Sequence, residues 1–111
     1  MSLEKTNVID AISISHDSKV VLILSDNLAW DEKKHLHLLV EKLNFYIHVL
    51  QTRYIDEIYP ESSDKEFLIQ IVCKYSPDAK GKTFLDSVAQ VFETLPYHFS
   101  YGELNKPIMD R

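Results

Sequence analysis

The sequence predicts an α+β domain: an antiparallel sheet of about four strands, with two helices packed on one face. Three observations lead to this prediction. Two short apolar runs near the N-terminus flank a turn, two later stretches have helical periodicity, and a further apolar run lies between those stretches. The predicted element order is β-β-α-β-β-α, with a possible fifth strand at one edge.

The first two strands are predicted to form a hairpin. In "VIDAISIS" (8–15), Ile12 and Ile14 alternate with serines, which is the period of a half-buried strand. The stretch "HDS" (16–18) favours a turn because Asp and Ser side chains bond to nearby backbone groups. "KVVLILS" (19–25) is apolar on both faces, so we expect it to lie inside the sheet.

A helix of about 20 residues is expected to follow "DNLAW" (26–30). Asp26, Asn27 and Asp31 are all able to cap its N-terminus, where an acidic side chain also suits the helix dipole. The residues predicted to face the core share one helical stripe: Leu36, Leu39, Val40, Leu43, Ile47 and Leu50.

The middle of the chain leaves one alternative open. Residues 53–66 extend the first helix or form a short strand before a turn at 60–65. The next run, "EFLIQIVCKY" (66–75), alternates in the manner of a strand, and it places Cys73 on the apolar face. One thiol cannot form an internal disulfide, and we interpret Cys73 as a buried core residue.

The second helix is expected to begin with Ser76 as cap and Pro77 at the first helical position, and to end before Pro96. "YHFSY" (97–101) alternates as an edge strand does. We therefore predict one α+β domain over residues 1–96, with residues 97–111 as a C-terminal edge segment and tail.

Composition excludes several classes of function. The net charge of −5 disfavours binding to nucleic acid or to an anionic membrane. No apolar run approaches the ~20 residues of a membrane helix, and the N-terminus does not resemble a signal peptide. We therefore expect a cytoplasmic protein. With two glycines in all and no nucleophile elbow or Gly-rich phosphate loop, no catalytic residue is predicted.

Three of the five histidines lie in the first predicted helix, but they do not form a metal site. His37 and His48 share a side of the helix, yet they are ~16 Å apart along its axis. The ligands of one zinc ion all lie ~2 Å from the metal. Each histidine has one polar neighbour four residues away, Glu41 or Asn44, and no third ligand. We predict neither a metal nor a cofactor.

A second apolar line on the first helix predicts an interface. Leu38, Phe45 and Val49 lie at i, i+7 and i+11, away from the predicted core stripe. A helix on the outside of a two-layer domain is expected to be polar there, so the line implies a cover. The cover is a protein partner, a second copy, or the chain's own tail or residues 53–60.

Four short motifs resemble a family of small uncharacterised bacterial proteins, whose pattern reads "ID.I", "SDHL.W", "HL..L..KLN.Y" and "IYP". The resemblance covers residues 8–92, and Asn27 departs from it where the family has histidine. The matching residues are Ile9 and Asp10, Ser25 to Trp30, His35 and Leu36, Lys42 to Asn44 with Tyr46, and Ile58 to Pro60.

The resemblance implies an accessory or immunity-like protein with no assigned reaction. If such a family has a working surface, the resemblance points to Asp26, Trp30, His35 and Asn44 near the strand-to-helix junction. Our expectation is a non-enzymatic interaction module that forms a homodimer or binds a protein partner through the first helix. The alternative is a small ligand-binding or hydrolytic domain with a site around residues 25–35.

Overall fold

The computed structural model of the protein describes residues 3–62 and 64–104. No helix among these residues is long and apolar enough to cross a membrane. The elements along the chain are β1 (Ala11–Ile14), β2 (Val20–Asp26), α1 (His35–Gln51), α2 (Ile55–Ile58), β3 (Phe67–Cys73), α3 (Ala79–Phe92) and β4 (His98–Glu103).

Within the described residues the sheet has four strands in the order β1-β2-β3-β4. The α+β class and the N-terminal hairpin are confirmed, because β1 and β2 pair antiparallel. The prediction of a wholly antiparallel sheet is wrong, since β2–β3 and β3–β4 are parallel pairs. Each later strand follows a connection that contains a helix, and such a crossover returns the chain to the same end of the sheet.

The segment left open between the first helix and β3 is mostly helical. Arg53 has a left-handed backbone with φ of 61°, which separates α1 from the single turn of α2. A 3-10 turn at Pro60–Ser62 follows. The segment therefore contains no additional strand among its described residues, and the β4 strand is the fourth of the sheet and not a fifth.

Both long helices begin later than predicted. The side chains of Asp26, Asn27 and Asp31 do not cap α1, because the chain makes turns until His35. Asp78 caps α3, with its carboxylate accepting a hydrogen bond from the Gly81 amide at 2.7 Å, so the prediction of Ser76 as cap is wrong. The edge strand predicted at 97–101 is confirmed as β4, and the predicted tail (105–111) lies outside the described residues.

The core lies between one face of the sheet and the two helices. Alternating residues of β2 and β3 are fully buried and share one cluster with α1 and with Leu85 of α3. Both helices therefore cover the same face, as predicted. Cys73 is buried in this cluster, which confirms its interpretation as a core residue. Burial, together with the charges of Asp26 and Glu103, raises the pKa of its thiol to about 12.

The buried face of α1 is rotated from the predicted stripe. Leu39, Leu43 and Leu50 are buried as expected, but Val40 is 42% exposed. The buried side of the helix also includes His35, Lys42, Tyr46 and Val49. The prediction failed here because it placed the polar residues of the helix in solvent. His35, Lys42 and Tyr46 instead form hydrogen bonds with groups on or beside the sheet.

Candidate functional site

A buried ion pair joins the middle of α1 to the residue before β1. Lys42 Nζ lies 2.8 Å from both carboxylate oxygens of Asp10, and both side chains are almost entirely inaccessible to solvent. The backbone amide of Ser25 donates a further hydrogen bond to Asp10 at 2.8 Å. A buried carboxylate is tolerated when it is paired and hydrogen-bonded in this way.

Tyr46 extends the same network by one turn of α1. Its hydroxyl donates to the carbonyl oxygen of Ile23 at 2.6 Å and accepts from the amide of Asp10 at 2.9 Å. Burial raises the pKa of Tyr46 above its usual range, and the charge of Asp10 acts in the same direction. The side chain is therefore a neutral donor that fixes α1 to β2 and to the start of β1.

A second buried pair lies at the N-terminus of α1. His35 Nε2 is 2.6 Å from Asp26 Oδ2, and neither side chain has exposed surface. Burial raises the pKa of Asp26, although the hydrogen bond with His35 opposes the rise. The other ring nitrogen of His35, Nδ1, is buried and has no hydrogen-bond partner among the described residues. This pair is less completely satisfied than Asp10–Lys42.

Trp30 packs against the histidine of the second pair. Its ring centroid lies 4.2 Å from that of His35, and its Nε1 donates to the carbonyl oxygen of Tyr75 at 3.0 Å. Gly81 of α3 lies against the same indole, so closely that a Cβ at this position would be 2.6 Å from Cε3. Trp30 is thus held by contacts to α1, to the segment after β3 and to α3.

A polar cleft of about 420 Å³ lies outside this indole. Asp26 and His35 are fully buried and do not line it. No group of three or more metal-ligating side chains that could hold an ion occurs in the described part of the chain. The residues that line the cleft are Trp30, Asp31, Glu32, Lys33, Leu36, Asp78, Lys80 and Gly81.

The structure therefore brings together three of the four residues predicted for the junction. His35 is the link between them, since it contacts both Asp26 and Trp30. Asn44 lies roughly 13 Å further along the axis of α1 than His35. It is exposed, and it lines a separate depression between the two long helices.

We call this depression the α1–α3 groove. It has a volume of about 260 Å³, and the exposed fractions of Val40 and Val91 on its two sides are 42% and 53%. None of its lining residues is charged. They are Val40, Leu43, Asn44 and Ile47 of α1 and Phe84, Ser87, Val88, Val91 and Phe92 of α3.

Comparison with known families assigns the chain to a family. The model of a family of unknown function, DUF6572, matches residues 1–105. The chain belongs to the DUF6572 family. Neither the comparison with curated proteins nor that with solved structures gives a match. The predicted membership in a family of unknown function is thereby confirmed, and DUF6572 carries no assigned reaction.

Several functional candidates in this DUF6572 chain were absent from the predicted site. Asp10, Lys42 and Tyr46 were noted only as residues that carry the resemblance, yet the structure joins them in one buried network. A usable signal was present in their spacing. His35, Lys42 and Tyr46 lie at i, i+7 and i+11, which is one face of a helix.

The residues of the predicted interface line in this DUF6572 chain pack mostly in or against the protein's own core. Val49 is buried in the core, while Leu38 and Phe45 are half-buried and pack against it. Their role in binding a partner stays a prediction. Val40 and Val91, which line the groove on another side of α1, are each more exposed than any residue of this line.

Proposed function

We propose that this DUF6572 protein is a non-enzymatic protein–protein interaction module whose docking surface is the α1–α3 groove. The observation that carries the proposal is an apolar, charge-free groove with an exposed valine on each side. The proposal retains α1 as the binding element but moves the contact from Leu38, Phe45 and Val49 to the opposite flank of the helix.

The composition of the groove supports docking of another protein surface. Charged residues make up 26% of the whole chain, but they are absent from the nine groove-lining residues. Depletion of charge is the compositional mark of the centre of an interface. A single exposed valine needs no explanation, but two valines that face one groove on adjacent helices form a continuous apolar surface. Grooves between helices commonly accept an apolar helix face.

The broader setting is part of the same proposal. An acidic chain without a recognisable catalytic motif fits an accessory or immunity-like role in a bacterial cytoplasm. Its acidic surface is compatible with a basic partner, whereas it disfavours nucleic acid and anionic membranes. Identification of the native cellular compartment by fractionation would test this setting, and a membrane-bound or secreted pool would contradict it.

Site-specific photo-crosslinking tests the docking surface. A benzophenone amino acid replaces Val91 in one variant and Val8 in the control, because Val8 is 44% exposed but lies outside the groove. We expect a protein adduct from the position 91 variant after irradiation in cells, and none from the position 8 variant. Equal adduct yields from both variants, or none from position 91, would contradict the proposal.

A small-molecule site at the junction of β2 and α1 is the second candidate. The observation in its favour is the buried Nδ1 of His35, which lacks a partner within the described residues, beside a Trp30 that lines a cleft. Against it, neither Asp26 nor His35 has exposed side-chain surface that a ligand could reach. A fragment screen by NMR decides: hits that shift the Trp30 indole resonance support this candidate, and their absence removes it.

A further inference from the structure

We propose that the open edge of β4 binds an extended peptide segment of another protein, which joins the sheet as an added strand and carries apolar and basic side chains. This site is distinct from the α1–α3 groove, since Phe92 is the only described residue that lines both the groove and the cavity beside β4. Loss of binding at one surface therefore does not predict loss at the other. Three features carry the proposal: the direction of the β4 backbone, the cavity and the nearby charges.

The backbone of β4 presents hydrogen-bonding groups along its outer side. The amide of Leu104 donates to the carbonyl oxygen of Cys73 at 2.8 Å, so the backbone of Leu104 faces β3. Backbone groups alternate in direction along a strand, and those of Phe99 and Tyr101 therefore point away from β3. In the described chain β4 pairs with β3 alone, and no other backbone hydrogen bond reaches Phe99 or Tyr101. A row of such donors and acceptors is satisfied by an extended segment.

The β4 strand lacks the features that usually protect a sheet edge from strand addition. Its six residues keep an unbroken register with β3, and none of them is Lys or Pro. The opposite edge of the sheet is a weaker candidate, because β1 has only four residues. Main-chain pairing with a partner is therefore longest at β4.

A cavity of about 550 Å³ lies at the start of the same strand. It is lined by the end of α3, by the connection to β4 and by the first two residues of β4. Phe92 and Phe99 form part of its wall, and their rings stack with centroids 5.0 Å apart. In strand addition, main-chain bonds supply affinity and pockets beside the edge select alternate side chains. We therefore expect an apolar side chain of the peptide to enter this cavity.

The charges around the edge favour a basic peptide. Glu93 lines the cavity and is exposed, whereas neither the cavity lining nor β4 contains Lys or Arg. The one histidine in both sets, His98, is bonded to Glu66 at 2.7 Å. A peptide with Lys or Arg near its apolar residue complements Glu93. A second copy of this chain, with its net charge of −5, does not.

Selection from a library of random dodecapeptides displayed on phage, with the folded full chain as bait, tests the proposal. We expect the recovered peptides to place apolar residues at alternate positions, to contain Lys or Arg, and to lack Pro in the paired stretch. Fluorescence polarisation then measures the affinity of each synthetic peptide. Failure to recover any peptide would overturn the proposal, as would a set of acidic peptides.

Two variants at one position separate the backbone bond from the side chain. Tyr101→Pro removes the outward amide, and proline is tolerated on an edge strand where its nitrogen faces solvent. Tyr101→Ala removes the same ring but keeps the amide, so it is the matched control. We expect Tyr101→Pro to bind the peptides about 10-fold more weakly than Tyr101→Ala does. Equal affinities would overturn the proposal.

Peptide chemistry provides the same test if circular dichroism shows that Tyr101→Pro does not fold. N-methylation of alternate amides blocks only the set that faces β4, so one of the two methylated peptides should lose binding and the other should keep it. Equal behaviour of the two peptides would contradict strand addition. Glu93→Gln should weaken binding about 2- to 5-fold, whereas Asp86→Asn, an exposed position on α3 outside the cavity, should not.

Hydrogen exchange measured by NMR separates the peptide from other occupants of the edge. In the free full chain, the amides of Phe99 and Tyr101 should exchange faster than those of Ser100 and Gly102. Bound peptide should slow the first two by at least about 10-fold. Slow exchange of all four amides in the free chain would mean that its own residues already cover the edge. Protection that grows with chain concentration would mean that a second copy does, and either result would overturn the proposal.

Discussion

Two flanks of α1 differ in a way that simple polarity patterns do not predict. Its buried side carries His35, Lys42 and Tyr46, whereas its groove side exposes Val40 and half-exposes Ile47. The polar side chains are buried because complementary groups meet them, and Val40 is exposed because nothing in the described chain covers it. Burial in this protein therefore follows the available partners as much as it follows hydrophobicity.

The two buried pairs beneath α1 differ in how well they are satisfied. The carboxylate of Asp10 receives both Lys42 and a backbone amide, and the neighbouring Tyr46 hydroxyl is bonded twice. The Asp26–His35 pair leaves a buried ring nitrogen unpartnered in the described structure and raises the pKa of its carboxyl group. The Asp10–Lys42 pair therefore fixes the position of α1 with its hydrogen bonds satisfied. The Asp26–His35 pair is buried with one ring nitrogen unpartnered among the described residues.

Among the changes that test this contrast, loss of Lys42 should have the largest effect on the free energy of unfolding. Lys42→Met leaves the Asp10 carboxylate buried without its cation, which is expected to lower the free energy of unfolding by about 3–5 kcal/mol. Urea denaturation measures the change. Lys82→Met, on the exposed side of α3, is the control and should alter stability by less than about 0.5 kcal/mol.

A second variant separates the charge from the packing. Adding Asp10→Asn to Lys42→Met removes the uncompensated charge, so the double variant should recover part of the loss. If Lys42→Met alone costs less than about 1 kcal/mol, water reaches the pair, and the contrast between the two flanks of α1 is wrong.

The limits of sequence reasoning are visible in the same elements. Local patterns were sufficient for the hairpin, for both long helices and for β3, because each depends on periodicity and turn residues over a short span. Strand direction depends on where a 40-residue connection returns, and no local pattern records that. The burial of Lys42 was missed for a related reason: Asp10 is 32 positions away, so the pairing is a property of the fold.

The candidate sites were predicted with mixed success for similar reasons. The resemblance pointed to all four junction residues, and Asp26, Trp30 and His35 lie near one another in the fold because they are within ten positions in the sequence. Asn44 was grouped with them through a resemblance, but its position on α1 carries it to the groove. The groove combines residues of α1 and α3 that are far apart in the sequence, so it could be recognised only in the folded structure.

An added methyl group at Gly81 should have an intermediate effect. Its Cβ would meet the Trp30 indole at 2.6 Å, so Gly81→Ala is expected to displace the ring and to cost about 1–3 kcal/mol. Trp30 is the one tryptophan in the chain, and its fluorescence reports the displacement directly. Ala89→Val, a small-to-large change elsewhere on α3, is the comparison. Unchanged fluorescence in Gly81→Ala would show that α3 moves and the indole does not.

The smallest expected effect is the pH dependence that the Asp26–His35 pair gives to the free energy of unfolding. Burial raises the pKa of Asp26 above its ordinary value of 3.8, so the folded chain holds this proton at pH values where the unfolded chain has released it. The stability that comes from the proton is fully present below pH 3.8 and is lost as pH rises through the raised pKa. The unfolding free energy of the native chain should therefore fall relative to that of Asp26→Asn over this window, by at most ~1.4 kcal/mol per pH unit.

Urea denaturation from pH 3 upward, on the native chain and on Asp26→Asn, measures this difference. Asp86→Asn removes an exposed carboxylate on α3 and serves as the matched control, since it leaves the buried pair intact. The sign of the difference is informative because burial and the His35 hydrogen bond act on Asp26 in opposite directions. A native chain that gains stability over Asp26→Asn as pH rises would mean that the bond to His35 outweighs burial. The two pairs beneath α1 would then be alike in kind, and the contrast between them would be lost.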